Sequence, residues 1–230
     1  MGTDIAANIE KIKQRIAAAC SRAGRDPHSV ELMAVTKTVS TERILQAVDA
    51  GITLLGENYV QEAREKQELL GGSARMHLIG HLQTNKAKYA VRLFDCVHSV
   101  DRLELAQELN KRAKAVNRIL DILIEVNVSG EQTKNGVSRA QARELIGRVA
   151  GLENLFVRGL MTMAPYSDDP ETSRPYFQAL RQLRDDIARE EIPRVQMAEL
   201  SMGMTDDFEV AIEEGSTIVR IGRAIFGARQ

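Results

Sequence analysis

The sequence predicts an α/β fold: a single closed (β/α)8 barrel of the TIM type, with one extra helix at its N-terminus. Three observations lead there. Eight apolar, β-branched runs alternate with amphipathic helical stretches, the order of parallel strands joined by helical crossovers. Several of these runs are apolar throughout rather than at every second residue, as strands covered on both faces should be. No low-complexity linker or charge block divides the 230 residues, so 1–230 reads as one domain. An open doubly wound sheet is the competing arrangement. It would usually carry fewer strands, and neither "GENYV" nor "IGHLQ" is a dinucleotide fingerprint.

The first 25 residues supply the extra helix. Ile5, Ile9, Ile12 and Ile16 recur at helical spacing, and the mixture of acids and bases excludes a signal peptide or membrane span. The strand candidates follow as "VELMAVTK", "ITLLGEN", "RMHLIGH", "DCVHSVD", "DILIEVNV", "LFVRGLMTM", "VQMAELSM" and "TIVRIGRAIFG". Between the first two, "STERILQAVDAG" puts Ile44, Leu45 and Val48 on one face and stops at Gly51. "DRLELAQELNKRAKAV" and "SRAQARELIGRVAG" repeat the pattern, and "NKAKYAVR" reads as a helix with a wet face. "SGEQTKNGV" reads as a solvated loop carrying Lys134, ahead of a helix that begins near Ser138.

Composition narrows the function classes. A formal net charge of −1 gives no support for a nucleic-acid or anionic-membrane partner. Cys20 and Cys96 lie far apart, so neither a disulfide nor a cysteine-based metal site is expected, and a cytoplasmic setting is the natural one. His77 and His81 are four apart, but in a strand-to-loop segment that spacing does not bring them together. No metal site is expected.

In barrels of this kind the active face lies at the C-terminal ends of the strands. Those ends here are Lys37, then Glu57 and Asn58, His81, Ser99, Asn127, Met163, Ser201, and Arg220 with Gly222. The loops after the seventh and eighth strands carry "ELSMGMTDD", with Ser201 and Gly203, and "VRIGRAIFG", with Gly222 and Arg223. That is where the fold repeatedly binds phosphate, because backbone N–H groups at a helix start favour an anion and glycine lets it approach. The alternative is that both glycines serve only turns. Barrel closure makes the first and eighth strands neighbours, which sets Lys37 beside that phosphate site. A phosphorylated aldehyde held as a lysine Schiff base suits the arrangement, and pyridoxal 5'-phosphate is the obvious one. Lys37 shares a strand face with Met33 and Val35, and desolvation with nearby arginines would lower its pKa and supply a neutral amine. Arg220 would lie near the ring, where an arginine on the pyridine nitrogen leaves the ring a weak electron sink.

The chain resembles the pyridoxal-phosphate homeostasis family throughout its length. The resemblance is carried by "AVTKT", "GENYVQEA..K", "MHLIGHLQTNK", "VNVSGEQTKNGV", "GLMTMAP", "LSMGMTDDFEVAI" and "GSTIVRIGRAIFG". Met76 departs from it, standing where the family usually has an aromatic residue. The resemblance implies a barrel like the N-terminal domain of alanine racemase, with Lys37 as the Schiff-base lysine. It further implies Asn58 beside the cofactor and His81 near the mouth. Ser201, Met202, Gly203, Gly222 and Arg223 are then the phosphate grip, and Arg220 the ring-side partner. The implied role is to buffer or deliver the cofactor, with apo-enzymes as recipients and without established turnover.

Kinship with alanine racemase raises the alternative of a weak pyridoxal-phosphate enzyme. Racemisation needs two bases on opposite faces of the substrate, and the racemase takes its second, a tyrosine, from a separate β-domain across a dimer. This sequence ends at Arg229 and Gln230, shortly after the eighth strand. None of Tyr59, Tyr89, Tyr166 and Tyr176 falls at an obvious counterpart of that base. A carrier that is a monomer and not an enzyme is the expectation. A class I aldolase using Lys37 without a cofactor is disfavoured, since that chemistry usually sits on a later strand.

Overall fold

The structure, a computed structural model, describes residues 4–227. The expected ends of the domain, at 1–3 and at 228–230, lie outside the described residues. Helix α1 (Ile5–Arg22) opens the chain, capped by Asp4, whose carboxylate accepts the Ala7 N–H at 2.9 Å. Its isoleucines Ile5, Ile9, Ile12 and Ile16 are all buried, as the spacing predicts.

Nine strands follow among the described residues: β1 (Glu31–Val35), β2 (Leu54–Glu57), β3 (Arg75–Leu78), β4 (Cys96–Val100), β5 (Leu120–Asn127), β6 (Val137–Ser138), β7 (Leu155–Met161), β8 (Val195–Ser201) and β9 (Ile218–Ile221). All pairings are parallel. The order runs β4-β3-β2-β1-β9-β8-β7-β5, and β4 also pairs with β5, which closes an eight-stranded barrel. Each barrel strand falls within one of the eight apolar runs of the sequence, except that β5 begins one residue earlier, at Leu120. Strand β6 is a two-residue stub that the sequence does not announce. It forms because the loop after β5 folds back on its own strand.

Helices α2 (Thr41–Asp49), α3 (Val60–Leu70), α4 (Ala87–Leu93), α5 (Leu103–Ala115), α6 (Arg139–Ala150), α7 (Arg174–Ala188), α8 (Phe208–Glu213) and α9 (Arg223–Phe226) alternate with the barrel strands. Ser138 and Gln141 form a capping box at the start of α6. The buried apolar residues divide as a closed barrel requires. One large cluster, including Ala34, Leu55, Leu78, Val97, Ile122, Leu160, Leu200 and Val219, fills the layer between strands and helices. Two small ones sit in the lumen: Met33, Leu54 and Ile218, and then Cys96, Leu123 and Met161. Alternate residues of each strand feed the two layers, so the same alternation decides which polar residues reach the mouth.

Candidate functional site

Strand β1 ends at Val35, so Lys37 stands two residues beyond it, half-buried in a turn rather than on the strand itself. Thr38 follows with φ +60°, a left-handed conformation that β-branched residues rarely adopt. The neighbouring strand is β9. Met33 pairs with Arg220, and a side chain added at Gly222 would come within 3.4 Å of the Val35 Cβ and carbonyl oxygen. The lysine turn, the buried arginine and the Gly222–Arg223 turn therefore share one seam, where the first and last strands of the barrel meet.

Arg220 forms the floor of this seam and is fully enclosed. Its guanidinium donates to the Ser201 carbonyl at 2.6 Å, to Ser201 Oγ at 2.7 Å and to the Thr162 carbonyl at 2.8 Å. Burial lowers its pKa to about 10, opposed by the carboxyl groups of Asp207 and Glu125. At neutral pH the guanidinium therefore remains a donor and releases no proton. From Ser201 a hydrogen-bonded chain continues through His98 Nδ1 at 3.0 Å, and from His98 Nε2 to His77 Nδ1 at 2.9 Å. Arginine can only donate, so Ser201 Oγ accepts from it and passes its own hydrogen to His98. His98 in turn donates to His77, so the hydrogens along this chain all run one way, from Arg220 to His77. Burial pushes His98 well below the usual imidazole range and His77 down to about 3. Both rings are neutral at physiological pH.

Cys96 completes a group with His77 and His98 whose donor atoms all lie within 4.8 Å of one another. The sequence spacing does not bring His77 and His81 together, and the structure joins His77 to His98, one strand away, by a single hydrogen bond.

Glu125 is a further lumenal group that sequence reasoning passed over, although a lone acid inside the apolar run "DILIEVNV" is a visible signal. It is buried, and its Oε2 has no hydrogen-bond partner among the described residues. Burial, and secondarily Asp101, push its carboxyl up to about 7, against the pull of Arg220. A folded-state pKa raised above the usual 4.5 for an acid means that stability falls as pH rises from about 4.5 to about 7. Glu125→Gln is expected to remove that fall, stabilising the apo-protein at pH 8 by up to roughly 3 kcal/mol while changing little at acid pH. Urea unfolding of both proteins across this range checks it, and an unchanged wild-type slope in the variant would sink the assignment.

The remaining sequence-derived residues divide into those the mouth gathers and those it does not. Asn58 follows β2, and its Oδ1 is enclosed without a partner among the described residues. Gly80 makes that approach possible, since a Cβ there would lie 2.3 Å from the Asn58 carbonyl oxygen. His81 stands on the rim, largely open to solvent, with Nδ1 3.9 Å from Asp101 Oδ2. Ser99 is tied beneath it, donating to the Gly80 carbonyl at 2.6 Å.

Gly203 (φ +91°) is required by packing on α8, because a Cβ there would lie 2.5 Å from Ala211 Cβ. Met202 is turned outward into the layer beneath the helices, its N–H bonded to Ile218 and its carbonyl to Ser216 Oγ. Neither its side chain nor its peptide groups face the mouth openly, since strand alternation points it away from Ser201. Arg223 is exposed and holds both oxygens of Asp206 at 2.6 Å.

Two expectations need correction. Glu57 does not join the polar strand ends at the mouth. Gly56 faces the lumen, where a Cβ would strike Met33 Sδ, so Glu57 points outward, buried beneath α3. Lys134 is not a solvated loop lysine. Its Nζ is enclosed and pairs with Glu131 at 3.2 Å, because Asn127 Nδ2 donates to the Glu131 carbonyl and folds the loop inward.

The tyrosines stay out of the lumen. Tyr59 precedes α3 and Tyr166 lies on the loop after β7, both exposed, while Tyr89 and Tyr176 sit on the outer helices. A cleft lined by Arg75, Asp95 and Arg118 opens at the other end of the strands and touches none of these residues.

The alanine racemase N-terminal domain model matches residues 5–230. The pyridoxal phosphate homeostasis protein of Aquifex aeolicus is 48% identical over 223 residues, covering 96% of this chain and 97% of that protein. The chain belongs to the pyridoxal phosphate homeostasis protein family. The homeostasis protein of Escherichia coli K12 is 42% identical over 231 residues, 98% of this chain and 97% of that one. Among solved structures, PipY of Synechococcus elongatus PCC7942 with PLP bound superimposes with a TM-score of 0.81 at 34% identity. The match covers 94% of this chain and 100% of PipY. Alanine racemase of Clostridium difficile 630 gives a TM-score of 0.78 at 14% identity, over 98% of this chain and 57% of the racemase, a likeness of fold. The departure from the homeostasis pattern at Met76 is remote from the mouth, since Met76 is buried in the outer layer.

Proposed function

We propose that this homeostasis-family protein binds pyridoxal 5'-phosphate on Lys37 and buffers or delivers it, rather than turning over a substrate. The observation that carries the site is the β1–β9 seam, where the Lys37 turn, Arg220 and the Gly222–Arg223 turn meet. The residues present suit that cofactor. Asn58 Oδ1 is a buried polar atom without a partner among the described residues, and a bound ring substituent would supply one. The mouth also offers a lysine, a permanent donor in Arg220, and a glycine-opened turn for a phosphate. Bound there, the cofactor would supply an aldehyde, and Lys37 would be the residue that holds it.

The chain's own residues favour retention over catalysis. Arg220 offers hydrogen bonds and keeps its proton, so it gives ring-centred carbanion chemistry little help. His98 and His77 are neutral and committed to each other, and the tyrosines stand on the rim or outside the barrel. The curated relatives are named as homeostasis proteins. Ser201 acts in this reading through Arg220, and Gly203, Gly222 and Arg223 hold the phosphate. His81 guards the rim. Met202 is withdrawn from direct contact.

Among the described residues no helix is long and apolar enough to cross a membrane. A cytoplasmic monomer handing its cofactor to apo-enzymes is the setting we propose. The test uses the purified protein loaded with pyridoxal phosphate. It should be yellow, borohydride should bleach it, and the cofactor mass should then map to the Lys37 peptide. Transfer to several apo-enzymes, with and without free cofactor as competitor, should outpace release into solution. Turnover of an amino-acid panel at ordinary enzyme rates would overturn the carrier reading in favour of an enzyme, and a protein that never colours would overturn both.

A further inference from the structure

Among the charged residues of the segment "GENYVQEAREK", Glu57, Glu62 and Lys66 form a cluster that the cofactor reading leaves unused. Glu57 ends β2 facing out of the barrel, and α3 lays Lys66 over it on the same buried face as Val60, Ala63 and Leu70. Lys66 Nζ donates to Glu57 Oε1 at 2.7 Å, to the Thr36 carbonyl at 2.7 Å and to Glu62 Oε2 at 3.0 Å. Thr36 Oγ1 donates to Glu57 Oε1 at 2.5 Å, and the Thr38 N–H donates to Glu62 Oε2 at 2.8 Å.

The carbonyl before Lys37 and the N–H after it are thus both tied to one charge cluster. An ammonium has three donors, and here all three are engaged. Burial alone would raise the Glu62 carboxyl, but the Thr38 N–H and the charges of Lys66 and Lys37 outweigh it and hold it below the usual range. Thr38 keeps its left-handed φ of +60° between these ties. A backbone in that region persists where its surroundings over-determine it.

We propose that Lys66, with Glu57 and Glu62, is a positioning element that fixes the Lys37 turn and thereby sets how firmly the cofactor's aldehyde is retained. The inference rests on Lys37 being the attachment residue. Lys66 itself is no candidate for attachment, because its donors go to three acceptors under α3.

The test compares pyridoxal phosphate with pyridoxine 5'-phosphate, which has the ring and phosphate but no aldehyde. In Lys66→Met the dissociation constant for pyridoxal phosphate should rise at least tenfold, while that for pyridoxine phosphate stays within twofold. Glu62→Ala should behave likewise. Glu62→Gln, whose amide oxygen still accepts the Thr38 N–H, should recover most of the affinity. Equal weakening of both ligands, or no change in either, would overturn the proposal, as would Glu62→Gln behaving like Glu62→Ala. Should Lys66→Met not fold, the more exposed Glu62 pair decides alone. Failure of the underlying reading looks different: the wild type itself would then bind the two ligands equally and show no borohydride-fixed cofactor on Lys37.

Discussion

Lys37→Ala is expected to weaken retention of pyridoxal phosphate at least a hundredfold, about 2.7 kcal/mol, and to abolish borohydride fixation. Binding of pyridoxine phosphate should survive, because the proposed phosphate turn and Arg220 are untouched. Lys37 lies in a half-buried turn beyond the strand, so apo-protein stability should change by less than about 1 kcal/mol. The spectrum, the fixed mass and the melting temperature together separate loss of attachment from loss of fold. A variant that still fixes the cofactor would move the attachment to another lysine, with Lys134 the first to examine.

Arg220→Leu should do the opposite, acting on the fold before the cofactor. The arginine is a fully enclosed cation with three acceptors, and Glu125 and Asp207 both sense its charge. Removing it leaves two carbonyls and the Ser201 hydroxyl short of a donor and the acids without their counter-charge. Breaking a buried charged network in this way costs about 3–5 kcal/mol. Urea unfolding of the apo-protein measures it. A lysine at this position should restore the stability only in part, since it lacks the planar fork that reaches all three acceptors. Combining Arg220→Leu with Glu125→Gln should cost less than the two separate effects predict, because the second change removes an acid the first has left uncompensated. Simple additivity would mean that the two groups are not coupled.

The barrel was legible because parallel strands covered on both faces leave apolar runs that alternate with helical periodicity, a signal local to each segment. Lys37, Asn58 and the glycine turns were legible through motif and strand position. The polar floor was not. His98 meets Ser201 across 103 residues of sequence, and no spacing rule announces such a contact. Glu57 was misassigned because adjacent residues of a strand face opposite ways, and a polar residue at a strand end does not reveal which way it turns. The i,i+4 spacing of Glu62 and Lys66 could have been noticed, but its tie to the Lys37 turn runs through the backbone of Thr36 and Thr38, just beyond β1, which only the fold brings near. Lys134 looked solvated because polar loops usually are. Asn127 folds this one inward.

The seam between β1 and β9 also bears on how the molecule is made. Helix α1 braces the far end of the chain: Asn8 donates to the Ile225 carbonyl across 217 residues, and Arg15 and Arg22 pair with Glu209 and Glu213. Helix α1 thus waits for a segment made some two hundred residues later. Contacts of such long sequence separation form late and slowly. A partly synthesised chain can hold Lys37 but lacks Arg220 and the Gly222 turn, so it should not trap the aldehyde on its way out. On the proposed reading, loading is expected only of chains that extend through β9, and a nascent chain halted before it should offer a reactive aldehyde no foothold.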